Sequence, residues 1–222
     1  MMFPFQIYCV ALFASAICTA LSLPLWRRWS YRTGFVDDPG HRKIHSTPVS
    51  LAGGLAVMTG LVVPLIVASG ILVAGTASAT APILENVHTT GRLLPSTLKG
   101  LFEYGLSARA LQLGVIVAGA CGMVLLGWLD DKYELRPTVK FGGQLLIAGT
   151  VAAAGIRITL FVDNLIFSYT ITVLWILTVT NAFNFMDNMN GLCAGLAVLG
   201  SWNFGLAAAI HGQYLVATMA FL

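Results

Sequence analysis

RALQLGVIVAGACGMVLLGWLDD, Arg109–Asp131, is the stretch whose reading decides the fold. No side chain between Arg109 and Asp130 carries a charge, and an apolar run of about 20 residues is what a helix needs to cross a bilayer. Inside lipid the backbone must satisfy its own hydrogen bonds, which a helix does within one segment. The aspartate pair that closes the run marks the return to water. The same pattern recurs along the chain and predicts spans at Phe3–Leu25, Ser50–Gly75, Arg109–Leu129, Lys140–Ile156, Thr170–Met186 and Gly191–His211. The apolar tail Gln213–Leu222 is too short to cross, so the chain is expected to stop partway through a seventh helix. The expected fold class is all-α: a polytopic transmembrane bundle of six spans plus a partial seventh. It forms one integral membrane domain over residues 1–222 that is incomplete at its C-terminus.

Composition agrees with this reading. Hydrophobic residues make up 57% of the chain and charged residues 9%, with a mean hydropathy of +0.83. Soluble domains carry about 25% charged residues, so too few polar side chains exist here to cover a water-facing surface. The formal net charge of +3 reflects short basic loops that set topology and does not point to nucleic acid. Cys9, Cys18, Cys121 and Cys193 all lie in apolar segments without metal spacing and read as small buried hydrophobes. A cleavable signal places positive charge before its apolar core, whereas Arg27 and Arg28 follow the first run. That order describes a first span with its N-terminus outside.

Orientation follows from the basic residues. With the first loop inside, the inner loops hold Arg27, Arg28, Arg32, Arg42, Lys43, Lys132, Arg136 and Lys140, and the outer segments hold Arg92, Lys99, Arg109 and Arg157. This imbalance puts the N-terminus outside. Of the outer segments, Thr76–Ala108 is a long polar connection whose stretch Leu93–Leu106 either lies in the interface or is disordered. Arg157–Ser168, RITLFVDNLIFS, has β-branched residues on both sides of Asp163-Asn164 and is predicted to form a short external β-hairpin.

Three polar clusters interrupt the apolar pattern, and this topology sends all of them to the cytoplasmic face. They are FVDDPGHRKIHSTPVSLAGG (Phe35–Gly54), GWLDDKYELRPTVKFGGQ (Gly127–Gln144) and NAFNFMDNMNGL (Asn181–Leu192). Asp130 and Asp131 close the third span, while Asn181, Asn184 and Asp187 recur at i, i+3 and i+6 on one stripe at the end of the fifth. A helix C-terminus carries roughly half a negative charge, and neighbouring carboxylates repel one another unless a cation intervenes. Hard oxygen donors without His or Cys point to Mg²⁺ or Mn²⁺. Arg42 and Lys43, with His41 and His45, supply a cationic loop suited to a diphosphate, although His41 by itself reads as a surface residue. Gly53-Gly54 opens the following helix and lets backbone N–H groups approach an anion. Lys140 and Gln144, at i and i+4, face the same way and are expected to add a phosphate contact.

These clusters resemble the polyprenyl-phosphate N-acetylhexosamine-1-phosphate transferase family, within glycosyltransferase family 4. Asp37, Pro39, Arg42, Lys43, His45, Pro48, Gly53 and Gly54 match its first motif. Gly127, Asp130, Asp131, Leu135, Lys140 and Gln144 match its second, and Asn181, Asn184, Asp187, Gly191 and Leu192 its third. The departures are Asn188 in place of glycine, Asn190 in place of a second carboxylate, and Ser50 where a second proline is common. A late His-rich cytoplasmic loop of the family is not in this sequence. The resemblance implies a Mg²⁺-dependent transfer of N-acetylhexosamine 1-phosphate from a UDP-sugar to undecaprenyl phosphate, with release of UMP. That is a first membrane step toward a cell-envelope polysaccharide. It further implies that Asp187 binds the metal together with Asp130 and Asp131, one of which activates the lipid phosphate. Asp37, Arg42, Lys43, His45, Lys140, Asn181, Asn184 and Asn190 would contact substrate. The wording NFMDN and the lack of a P-T-M-G-G segment resemble the N-acetylglucosamine 1-phosphate branch. Self-association as a homodimer is left open.

Two other classes are weighed against this one. Asp130-Asp131-x-x-Glu134 approaches the D-D-x-x-D motif of intramembrane Mg²⁺-dependent prenyltransferases, a reading that leaves Asn181, Asn184 and the basic loop unexplained. A transporter would place its polar residues near the bilayer midplane, whereas these fall at span ends. An inactive fragment is the remaining alternative.

Overall fold

The computed structural model describes residues 5–37, 47–79, 96–187 and 191–222. The elements run α1 (Phe5–Thr33), β1 (Val36–Asp37), β2 (Val49–Ser50), α2 (Gly53–Ala79), α3 (Ser96–Tyr133), α4 (Pro137–Ala153), α5 (Leu165–Met186), α6 (Leu192–Ile210) and α7 (Tyr214–Phe221). The protein is an all-α membrane bundle with one small two-stranded pairing. Its packing is the reverse of a soluble core. Buried positions are mostly small, among them Ala52, Ala56, Ala148, Ala152, Ala209 and Ala217, whereas Leu111, Leu146, Ile166 and Val198 lie exposed. Small residues let helices approach closely in lipid, where large apolar side chains gain nothing by hiding from their surroundings.

Two compact units can be distinguished, Met1–Ala110 with Ser201–Leu222, and Leu111–Gly200. In the first, α1 and α2 cross where Gly60 meets Thr19 and the Ser15 carbonyl. Nearby, Trp26 Nε1 donates to Thr59 Oγ1 at 2.9 Å, and buried Ser22 donates to the Thr19 carbonyl at 3.1 Å. At the end of α1, Gly34 adopts φ +71°, a left-handed turn that favours glycine. The Phe35 N–H there returns to the Ser30 carbonyl at 2.9 Å. The chain then enters β1, which pairs antiparallel with β2 in the register Val36↔Ser50 and Asp37↔Val49. Tyr8, Ala208, Ala209, Ala217 and Phe221 form a further small core, with the Tyr8 and Phe221 rings 5.2 Å apart.

In the second unit α3 and α4 pack through glycines. A Cβ on Gly119 would lie 2.8 Å from Val151 Cγ2, and one on Gly143 would lie 2.9 Å from Leu126 Cδ1. Helix α5 then runs antiparallel to α4, as Gln144 meets Asn181 near one end and Ile158 meets Thr172 toward the other.

Several expectations change. Among the described residues five helices are long and apolar enough to cross a membrane: Phe5–Thr33, Gly53–Ile71, Arg109–Tyr133, Leu165–Met186 and Leu192–Ile210. The predicted fourth span becomes α4, with 17 residues, about 25 Å of rise against a hydrocarbon core of about 30 Å. The apolar tail forms α7, with 8 residues. Helix boundaries also move outward, because a helix that reaches water no longer needs apolar residues: α1 continues through Arg27, Arg28 and Arg32. The part of Leu93–Leu106 from Ser96 onward is helical and continuous with α3.

The predicted hairpin at Arg157–Ser168 does not form; the paired strands are β1 and β2 instead. Asn164 caps α5, its Oδ1 accepting from the Ile166 and Phe167 N–H groups at 2.9 and 3.2 Å. Thr172 Oγ1 accepts the Ile158 N–H at 2.9 Å, and Ser168 Oγ donates to the Ile158 carbonyl at 2.8 Å. Side chains of α5 thus take the backbone groups that a partner strand would have used. An Asn164→Ala variant should lose about 1 kcal/mol of local helix stability. Amide exchange at Ile166 and Phe167 is the measurement, with a rise of about fivefold expected.

Candidate active site

The last turn of α3 carries Asp130, Asp131 and Lys132. The turn closes where the Glu134 N–H, on a residue with φ +47°, donates to the Asp130 carbonyl at 2.8 Å. Three residues later Pro137 opens α4, a position where its missing N–H costs nothing. This short connection sets the first turns of α4 beside the end of α3. Lys140 Nζ lies 2.7 Å from Asp130 Oδ2, the two side chains 26% and 21% exposed. Lys132 is placed differently, with its ammonium over the Trp128 and Tyr133 rings at 5.0 and 5.2 Å.

One turn further along α4, Gln144 is 4% exposed. A buried amide in apolar surroundings is costly unless it is hydrogen-bonded, and Gln144 Oε1 accepts from Asn181 Nδ2 at 2.8 Å. The same Nδ2 donates to the Leu177 carbonyl within α5, also at 2.8 Å. Lys140 and Gln144, i and i+4 on α4, therefore hold the end of α3 and the end of α5 respectively. Asn184 and Asp187 continue the α5 stripe beyond Asn181; both are exposed, and Asp187 is the helix C-cap.

The antiparallel pairing fixes the levels. From Gln144 back to Lys140 is about 6 Å along α4, and from Asn181 on to Asp187 is about 9 Å along α5 in the same direction. Asp130 and Asp187 thus face the same end of this unit, each at a helix C-terminus where the peptide dipoles are negative.

Not all of the sequence-predicted residues enter this arrangement. Asp37 lies in β1 of the other unit, paired with Val49. Arg42, Lys43 and His45, like Asn190, lie outside the described residues. The pairing of Asn181 with Gln144 was not foreseen. A polar residue inside an apolar span four positions after Lys140 was the signal for Gln144, but nothing in the sequence named its partner.

Among the described residues no three His, Cys, Asp or Glu side chains gather into a group that could hold a metal. The donor chemistry fits an open site in preference to a cage. Mg²⁺ ordinarily takes one or two carboxylates and leaves its other positions to water and phosphate. Asp131 and Asp187 are exposed carboxylates at this end, and one oxygen of Asp130 is engaged by Lys140.

The sequence profile of Glycosyl transferase family 4 matches residues 113–222, which include every residue of this helix-end arrangement. The chain belongs to glycosyl transferase family 4. Family 4 relatives extend the likeness toward the N-terminus. A Bacillus subtilis protein named "Probable undecaprenyl-phosphate N-acetylglucosaminyl 1-phosphate transferase" is 29% identical over 95% of this chain and 51% of its own length. The decaprenyl-phosphate N-acetylglucosaminephosphotransferase of Mycobacterium tuberculosis is 29% identical over 83% of this chain and 41% of its own length. The undecaprenyl-phosphate alpha-N-acetylglucosaminyl 1-phosphate transferase of Escherichia coli is 23% identical over 91% of this chain and 47% of its own length. The chain spans about half the length of these curated family 4 relatives. No solved structure matches it significantly.

Proposed function

We propose that this family 4 chain carries part of the machinery that transfers N-acetylglucosamine 1-phosphate from UDP-N-acetylglucosamine to undecaprenyl phosphate, releasing UMP. The setting is a bacterial inner membrane, with α4 counted as a short crossing beside the five long helices, α7 as a partial seventh and the site on the cytoplasmic side; a span shorter than the hydrocarbon core is accommodated by local thinning of the bilayer. The observation that carries the reading is the linkage Asp130–Lys140 and Gln144–Asn181, which sets the carboxylate-bearing ends of α3 and α5 at one end of the second unit. A soluble nucleotide and a lipid phosphate can meet at such a membrane-proximal end.

In the proposed step an oxygen of the lipid phosphate forms a bond to the β-phosphorus of the UDP-sugar. The bond from that phosphorus to the bridging oxygen breaks, and UMP departs with the electron pair. Phosphoryl transfer depends mainly on positioning and charge neutralisation. A bound Mg²⁺ would supply neutralisation of the phosphate oxygens. Asp187 would hold it together with Asp130 or Asp131, one of which prepares the lipid phosphate. Asn184, with Arg42, Lys43 and His45, would hold the substrate phosphates, and Asp37, Lys140 and Asn190 complete the proposed contacts, whereas Asn181 is engaged within the protein.

The test incubates membranes bearing the full-length protein with undecaprenyl phosphate and labelled UDP-N-acetylglucosamine. Label entering an organic-soluble lipid together with UMP is the expected result, and chelation by EDTA should reduce it at least about 100-fold until Mg²⁺ is restored. Release of pyrophosphate from a prenyl diphosphate instead, or no transfer at all, would count against the assignment.

A further inference from the structure

The sequence pattern places Asn181 among residues expected to contact substrate, yet its amide is turned into the protein. Nδ2 has two hydrogens, and both are accounted for: one goes to Gln144 Oε1 and one to the Leu177 carbonyl, each at 2.8 Å. No donor on this amide remains for a phosphate oxygen, and its own Oδ1 is an acceptor that a phosphate would repel. Gln144 is correspondingly deep, at 4% exposure, with Ala148 one turn further along α4 at 0%. Beyond Asn181, residues 184–187 are exposed, so the terminal turn of α5 is where packing alone restrains least.

We infer that Gln144 is a positioning residue for the transfer. Through Asn181 it fixes the last turns of α5, and with them Asn184 and Asp187, against α4, whose preceding turn holds Asp130 through Lys140. The inference rests on the transferase reading for its kinetic consequence, but the tether itself can be measured without turnover. Gln144 touches no reacting atom; its effect passes through the placement of the α5 end. Loss of such a tether lowers turnover more than ground-state binding, because the misplaced groups act on the transition state.

The test compares Gln144→Leu, Asn181→Leu, the double variant, and the exchange Gln144→Asn with Asn181→Gln, which keeps both amides and their combined reach. Deuterium exchange over residues 182–187 is read alongside kcat and KM for UMP release by the full-length protein. Each leucine variant should raise exchange and lower kcat about tenfold, with KM for the UDP-sugar within about twofold. The double variant should be no worse than either single, the non-additivity of one shared contact. The amide exchange pair should keep wild-type protection, and it also serves if the leucine variants do not accumulate in membranes. Unchanged exchange in both single variants would overturn the inference. So would loss of protection in the exchange pair, raised exchange with unchanged kcat, or a KM defect confined to Asn181→Leu. A wild-type protein that releases no UMP would sink the transferase reading alone, and the exchange data would still decide the tether.

Discussion

Asp187→Asn is expected to abolish UMP release, lowering kcat by at least about 100- to 1,000-fold, while the protein accumulates in membranes at wild-type levels. The amide has nearly the same shape as the carboxylate it replaces, and Asp187 is an exposed C-cap, so the fold loses little. What disappears is a full negative charge at the end of a helix whose dipole already concentrates negative potential there. Preorganised charge of this kind commonly contributes a factor of 10² to 10³ in rate. The effect should be large here because Asn190 stands where the family motif carries a second carboxylate, leaving Asp187 to supply the charge of that segment. Asp163→Asn is the matching control: Asp163 is an exposed carboxylate on the connection before α5, at the opposite end of that helix, and should leave transfer unchanged. Transfer at the wild-type rate by Asp187→Asn would remove this residue from the mechanism.

The second large effect concerns stability. Gly60→Val should lower the thermal midpoint of the detergent-solubilised protein by roughly 5 °C, an overpacking cost of about 1–3 kcal/mol for a chain of this size. A Cβ at this position would overlap Thr19 Oγ1 and stand 3.0 Å from the Ser15 carbonyl. A side chain can rotate away, but the carbonyl belongs to the backbone of α1, so α1 and α2 must separate. That separation would also stretch the Trp26–Thr59 hydrogen bond, which spans the same pair of helices. Gly70→Val separates this clash from helix propensity. Gly70 lies in α2 as well, and a Cβ there meets nothing within 4 Å. Valine improves on glycine in a helix interior, so the control should be neutral or slightly stabilising. Equal destabilisation by both variants would remove the close α1–α2 crossing as the cause.

Part of the candidate arrangement at the ends of α3 and α5 is legible in the sequence. The i, i+3, i+6 recurrence of Asn181, Asn184 and Asp187 locates a polar stripe at the end of α5, and the aspartate pair after Leu129 marks the end of a span. Both conclusions rest on the expense of polar groups in lipid, which makes each one conspicuous. The Arg157–Ser168 hairpin failed because β-branched residues around Asp163-Asn164 satisfy a strand pattern and a capped helix start equally well. The outcome turned on Ser168 and Thr172 reaching back to Ile158. Lys140 and Gln144 were correctly placed on one face of a helix, but their partners could not be named.

The sequence by itself determined that this chain lives in a membrane, roughly where it enters and leaves lipid, and which polar side chains interrupt the apolar spans. A bilayer imposes a sharp apolarity requirement on each segment separately, and that requirement is written locally. Only the tertiary structure decided which helix faces which. Lipid and a neighbouring helix are chemically alike to Leu146 or Ile147, so apolarity cannot show which face of α4 turns inward. The pairings of Lys140 with Asp130 and of Gln144 with Asn181 depend on that choice, and with them the placing of the ends of α3 and α5.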